Sequence, residues 1–144
     1  MPAARRGLPA GFFEPSEEEL DAGLKVPGPA HHAVAALVKR GFVRVIITTN
    51  FDRLTEQALE EAGVPPQVVS LPEAVDGMAP LSHAKATVVK LNGDYADLQA
   101  RNTAEELSDY PPAWKALLHR VFDEYGLVIS GWSADLDLGA ALLE

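Results

Sequence analysis

Polar side chains able to bind a ligand follow three apolar runs of the sequence, and they are the first candidates for chemistry. The three sets are Asn50 with Asp52, Asn92 with Asp94, and Ser133 with Asp135. An Asn amide offers both donors and an acceptor, so it can bind a hydroxyl-bearing or amide-bearing ligand or hold a water molecule. These residues predict a site if the fold brings them together.

The runs that precede these residues are short, continuous and rich in valine and isoleucine. They begin at Val43, Thr87 and Gly126, and a shorter strand is expected at Gln67 to Leu71. Such runs are typical of strands buried on both faces of a parallel sheet. Ligands bind beyond the carboxyl ends of such strands, so we expect the three polar sets to lie at one edge.

Helical patterns separate the strands and complete an α/β reading. One helix is expected from Pro29 to Gly41, and another follows Asp52 with its glutamates, Glu56, Glu60 and Glu61, facing water. A longer amphipathic helix begins at Pro111-Pro112, and capping boxes mark short helices at Ser16 to Glu19 and at Thr103 to Glu106. We therefore expect an irregular arm over residues 1–28 and one α/β domain over 29–144.

Each polar set also has a purely structural explanation when taken alone. Asp52 can cap the following helix, Asn92-Gly93 can form a tight turn, and Ser133 can cap a final helix. The occurrence of three such sets at three strand ends is what favours a ligand site.

Composition limits the function further. The 144-residue chain has no cysteine, which excludes disulfides and thiolate zinc sites, and its four histidines show no metal-binding spacing. The formal net charge of −9 disfavours nucleic acid as a partner. No apolar run approaches the ~20 residues that a membrane span needs, so we expect no membrane contact and a cytoplasmic protein.

Three motifs together resemble the SIR2-like domains, relatives of sirtuins found in many bacterial proteins, some of them NAD-consuming defence effectors. Thr48-Thr49-Asn50-Phe51-Asp52 is similar to the sirtuin Thr-Gln-Asn-Ile-Asp motif. Leu91-Asn92-Gly93 stands where the family commonly has Leu-His-Gly, and Gly131-Trp132-Ser133 stands where sirtuins have Gly-Thr-Ser. The likeness runs from about Ala30 to the C-terminus.

The resemblance implies a three-layer, Rossmann-like fold with a mostly parallel sheet, and NAD as ligand or substrate without a metal. It implies catalytic positions at Asn50 and Asn92. The cofactor-binding positions that it implies are Thr48, Thr49, Asp52, Gly93, Gly131, Trp132, Ser133 and Asp135. Asn50 would lie near the nicotinamide ribose, and Gly131 and Ser133 near ribose and phosphates.

Two departures from the family shape the functional hypotheses. Asn92 occupies the place of the catalytic His, and residues 1–28 contain nothing like the family's Gly-rich phosphate loop, so we expect an N-terminally truncated domain. The first hypothesis is an NAD- or ADP-ribose-binding domain belonging to an NAD hydrolase, with protein deacetylation disfavoured. The alternative is a degenerate module that has lost the cofactor and serves self-association or docking of a neighbouring domain.

Overall fold

A computed structural model describes residues 14–21, 23–94 and 111–131. The helices are α1 (Glu17–Asp21), α2 (Pro29–Lys39), α3 (Leu54–Glu61) and α4 (Pro112–Glu124). The strands are β1 (Val45–Thr48), β2 (Gln67–Val69) and β3 (Thr87–Lys90), and one 3-10 turn covers Pro72–Ala74. Each of these helices and strands was expected from the sequence, and the strands are slightly shorter than the apolar runs.

The three strands form a parallel sheet in the order β1-β3-β2. Thr48 at the end of β1 lies opposite Lys90 at the end of β3, and Val69 of β2 lies opposite Val89. The carboxyl ends of all three strands therefore meet at one edge. The expected α/β fold with a mostly parallel sheet is confirmed.

Two apolar clusters cover the two faces of the sheet. Val89 belongs to a cluster with Trp114, Leu117 and other residues of α4. Val88, its neighbour in β3, belongs to a second cluster with residues of α2 and α3. Because successive strand residues point to opposite faces, β3 is buried on both sides between two helical layers.

Local signals explain where the helices begin and end. The Ser16–Glu19 capping box is present, since the Ser16 amide donates to the Glu19 carboxylate over 2.9 Å and the Glu19 amide donates to the Ser16 hydroxyl over 3.3 Å. Pro29 occupies the first turn of α2. Gly41 follows that helix with a φ of 82°, which a residue with a side chain rarely adopts.

Two expectations about the strands need correction. Residues 126–130 form no strand, and Val128 there is 90% exposed. β-branched residues favour a strand only where a neighbouring strand completes the hydrogen-bond ladder, and no strand among the described ranges pairs with this run. β1 is only half-buried, because β3 is its one partner in that part of the chain.

Some predictions fall outside the residues just given. Trp132, Ser133, Asp135 and the Thr103–Glu106 capping box lie outside the described ranges, and the division at residue 28 stays a prediction. No helix within those ranges is long and apolar enough to cross a membrane.

Candidate functional site

The pairing of β1 with β3 brings two of the three polar sets to the same edge. The Leu91 amide donates to the Thr48 carbonyl over 3.1 Å, which continues the ladder past both strand ends. One residue further on, Asn92 Nδ2 donates to the Thr49 carbonyl over 3.2 Å. The polar residues that follow β1 and β3 are thus direct neighbours, as the strand-end pattern predicted.

The turn after β1 is organised by its own side chains. Thr48 Oγ1 accepts a hydrogen bond from the Asn50 amide over 3.1 Å, and Asp52 Oδ1 accepts one from the Leu54 amide over 3.0 Å. Asp52 therefore accepts from the first amide of α3, although the N-cap position itself is held by Arg53, one residue later than the capping expectation for Asp52 placed it. The side chain of Asn50 is exposed and makes no hydrogen bond to any described residue.

Asn92 carries the clearest sign of a missing partner. The residue is 8% exposed, its Nδ2 is used by Thr49, and its Oδ1 is buried without a donor from the described part of the chain. An unsatisfied buried acceptor costs about 1–3 kcal/mol. A donor from a ligand or a water molecule would remove that cost.

Gly93 completes the turn after β3. Its φ of 90° lies in the left-handed region, and the Asn92-Gly93 pair is the tight turn that the sequence indicated. A Cβ at Gly93 would meet the Ser70 carbonyl at an ordinary 4.0 Å, so conformation and not space requires glycine here.

Three buried charged side chains and one half-exposed arginine form a connected group at the two turns. Lys90 is 0% exposed, and its Nζ lies 3.1 Å from Asp94 Oδ2 and 3.0 Å from Glu56 Oε1. Glu56 Oε1 is held by this proximity alone, without an aligned hydrogen bond from the described chain. Arg53 Nε, on a half-exposed side chain, reaches the same Asp94 oxygen over 3.0 Å. We call Arg53, Glu56, Lys90 and Asp94 the charge cluster.

The charge cluster also holds the backbone of the first turn. Lys90 Nζ donates to the carbonyl of Phe51 over 3.2 Å and to the carbonyl of Asp52. The formal charges of the two basic and two acidic side chains sum to zero, so the charge cluster adds no net charge to the polar edge.

Sequence reasoning missed most of this cluster. Glu56 was expected to face water, and this expectation is wrong: the residue is 6% exposed and faces Lys90. The helical period places Glu56 beside exposed positions, and only tertiary structure supplies its partner. Lys90 gave one signal, because a lysine inside a run expected to be buried on both faces must have buried acceptors.

The third polar set lies outside the described ranges, and only Gly131, which precedes it, is described. Gly131 is exposed with a φ of 68°, and the residues that follow it are outside the described ranges. Within those ranges no group of three histidine, aspartate or glutamate side chains could hold a metal ion. The cofactor-binding roles of this set stay predictions.

Comparisons with known proteins add to the geometry. A family model described as SIR2-like domain matches residues 44–137, well over half of the chain and including all three polar sets. The chain is also similar to NAD-dependent protein deacylase 2 of Archaeoglobus fulgidus, with 42% identity over 50 residues. That stretch is 35% of this chain and 20% of the deacylase, so the match spans only a fifth of that relative's length.

Proposed function

Because this chain belongs to the SIR2-like domain family, we propose that its polar strand edge binds NAD or ADP-ribose. The observation that carries the proposal is the buried, unsatisfied Oδ1 of Asn92 at the strand edge, beside a turn that exposes Asn50. The name of the archaeal relative, an NAD-dependent deacylase, supports the choice of nucleotide.

The side chains of the edge suit the sugar and amide parts of such a nucleotide. Asn92 Oδ1 would accept from a ribose hydroxyl, and the exposed amide of Asn50 would both donate and accept. Thr48, Thr49, Asp52 and Gly93 would shape the surrounding wall. Gly131, Trp132, Ser133 and Asp135 are proposed to complete the site near ribose and phosphates.

The binding proposal is tested by calorimetric titration with NAD and with ADP-ribose at millimolar concentration. Asn50→Ala should weaken binding about tenfold, the loss expected from one or two hydrogen bonds. Gln57→Ala is the matched control, since Gln57 is also an exposed amide side chain but lies on α3, away from the strand end. Binding is rejected if neither nucleotide produces heat on titration and neither shifts the unfolding midpoint.

We propose in addition that the domain is part of an NAD hydrolase that releases nicotinamide. In bound NAD, water would cleave the glycosidic bond between the ribose and nicotinamide. The side-chain amides of this chain would orient the ribose. Asn92 cannot serve as a general base near neutral pH, because an amide does not take up a proton there. A protein deacylase is disfavoured, since the chain has no cysteine for the zinc module of those enzymes.

The hydrolase proposal makes a directional prediction for Asn92→His. Restoring a base should raise nicotinamide release by about 10²–10⁴-fold over the parent chain. Release should disappear when Asn50→Ala is added. A histidine variant that binds NAD and still releases no nicotinamide contradicts hydrolysis by this chain alone.

A second candidate function is an interaction module without cofactor. Within the described ranges the outer edges of β1 and β2 have no strand partner, and unpaired edges invite association. Leu127, Val128 and Ile129 add exposed apolar side chains. Sedimentation should then show a concentration-dependent dimer that Val128→Lys disrupts, and a monomer at high concentration contradicts this function.

A further inference from the structure

Lys90 binds both the turn after β1 and the turn after β3, and its contacts converge on a single fully buried ammonium. The ammonium lies within hydrogen-bond range of two consecutive carbonyls, Phe51 and Asp52, and of the Asp94 carboxylate. From this geometry we infer that Lys90 is a positioning residue that fixes the turn presenting Asn50. The inference deepens the proposed nucleotide site and rests on it for its effect on binding.

Stability alone does not account for a lysine in this place. Removing an ammonium from water costs several kcal/mol, and replacing a buried ion pair by apolar side chains is often neutral or stabilising. An apolar residue at position 90 opposite a neutral residue at position 56 would avoid the desolvation cost of both charges. What such a pair cannot do is donate to the carbonyls of Phe51 and Asp52.

The two carbonyls determine the course of the backbone on one side of Asn50. On the other side, the Asn50 amide is fixed by Thr48 Oγ1 at 3.1 Å. Asn50 is thus held between a side-chain contact before it and the ammonium contact directly after it. The backbone that carries the exposed Asn50 side chain keeps its course only while both contacts are present.

The same ammonium also sets the distance between the two turns. Asp94 follows Asn92 by two residues and is bound to Lys90, whereas Phe51 follows Asn50 by one. Lys90 therefore holds Asn50 and Asn92 in a fixed relation across the edge. A nucleotide that contacts both amides would need that relation to be preorganised.

The test uses a variant that removes the ammonium without giving the charge cluster a net charge, and Arg53 remains as the partner of the buried Asp94. In K90M/E56Q the charge cluster keeps one positive and one negative side chain, Arg53 and Asp94, so it stays neutral as in the parent chain. E56Q alone is the matched control, because it removes the same carboxylate and keeps the Lys90 contacts to both carbonyls. K90M/E56Q/D94N also removes the buried Asp94 carboxylate and leaves only the half-exposed Arg53 charged, and it is used if the first variant does not fold.

Two measurements separate positioning from folding. Backbone ¹H–¹⁵N spectra and heteronuclear NOEs should show new shifts and faster motion at residues 50–54 in K90M/E56Q, with β2 and α4 unchanged relative to E56Q. Affinity for ADP-ribose, measured by calorimetry, should fall about tenfold in K90M/E56Q and by less than about twofold in E56Q. The unfolding midpoint of each variant confirms that the domain is folded in the titration.

The outcomes are distinguishable from failure of the proposed function. If the parent chain binds neither NAD nor ADP-ribose, the nucleotide proposal falls, and the spectra alone decide the role of Lys90. If K90M/E56Q is folded and residues 50–54 keep the shifts and order of E56Q, the positioning role is overturned. Unchanged affinity in a folded K90M/E56Q likewise overturns it.

Discussion

At the scale of single residues, the polar groups at the edge of the sheet are of two kinds: some bind the backbone of the turn, and others have no partner in the described chain. Asp52 and Thr48 are used by the backbone of the turn, as acceptors for the amides of Leu54 and Asn50. The side chain of Asn50 and the Oδ1 of Asn92 make no hydrogen bond to any described residue. Polar groups that the fold does not need are the ones available to a ligand.

Asn92→Leu should separate binding from stability. The substitution deletes one hydrogen bond to the Thr49 carbonyl together with the unsatisfied Oδ1, so the free energy of unfolding should change by less than about 1 kcal/mol. Urea denaturation measures this change, and calorimetry should show lost nucleotide affinity. Asn92→Asp should cost more stability, because it buries a carboxylate near Asp94. Equal costs for the two variants would contradict this account of Oδ1.

Residue by residue, the sequence predicts the candidate binding positions better than the buried charged residues that hold their turns. Asn50 and Asn92 follow from the rule that parallel strands end at one edge, and the structure brings them together. Glu56 and Lys90 could not be paired from sequence, since they belong to a helix and a strand 34 positions apart. Helical periodicity describes a side chain's face and says nothing about a partner from another element.

At the scale of elements, α4 and the sheet face that it covers make up one of the two cores. Trp114 on α4 is 1% exposed and packs with residues of β2 and β3. The long amphipathic pattern after Pro111-Pro112 predicted this helix correctly, because its apolar positions recur with the helical period. The run at 126–130 was misread, since composition alone cannot supply a neighbouring strand.

Trp114→Ala should lower the free energy of unfolding by about 3–5 kcal/mol, through lost burial and the cavity left behind. Phe42→Ala is the matched control, because Phe42 is 76% exposed and its loss should stay within about 0.5 kcal/mol. Chemical denaturation of both variants compares the two. Similar losses would show that Trp114 is not a core residue.

Helix α1 should depend on pH through its capping box. The Ser16 amide, and then the Lys25 ammonium, hold the pKa of the Glu19 carboxyl below its ordinary value. A pKa lowered by folding contributes stability that is present above the unfolded pKa and lost as pH falls through the folded one. The helical Cα shifts of residues 17–21 should therefore decline on acidification.

Glu19→Gln provides the comparison for that titration. Without an ionisable group at this position, the Cα shifts should vary much less with pH. A carboxyl ¹³C titration of Glu19 at or above the ordinary glutamate value would contradict the capping interaction.

At the scale of the whole molecule, neither apolar core includes a described residue that precedes α2. The first residues that pack against either apolar cluster are Val34 and Ala35, and the described residues before α2 contribute none. The boundary at residue 28 stays a prediction, whereas the family assignment made from three motifs is confirmed by a match over residues 44–137. Separate motifs in a fixed order identify a family where each motif alone does not.

A protein that begins at Gly28 should keep the urea midpoint and m value of the full chain. The m value follows the surface exposed on unfolding, and the described part of the arm buries little against the cores. Gly28 is retained because its amide donates to His31 Nδ1 at the start of α2. A clear fall in the midpoint would place the arm within the folded domain.

The strand order has a consequence for synthesis on the ribosome. β3 lies between β1 and β2 but follows both in the chain, so neither early strand has its partner until Thr87–Lys90 has been made. At about 5–20 residues per second, β1 waits for seconds with its ladder groups open. β3, the strand that completes the sheet, also contains Lys90, the ion-pair partner of Glu56. The sheet and its buried charges therefore form together once residues 87–94 have been made, and a chain stalled before residue 87 would leave β1, β2 and the Glu56 carboxylate exposed.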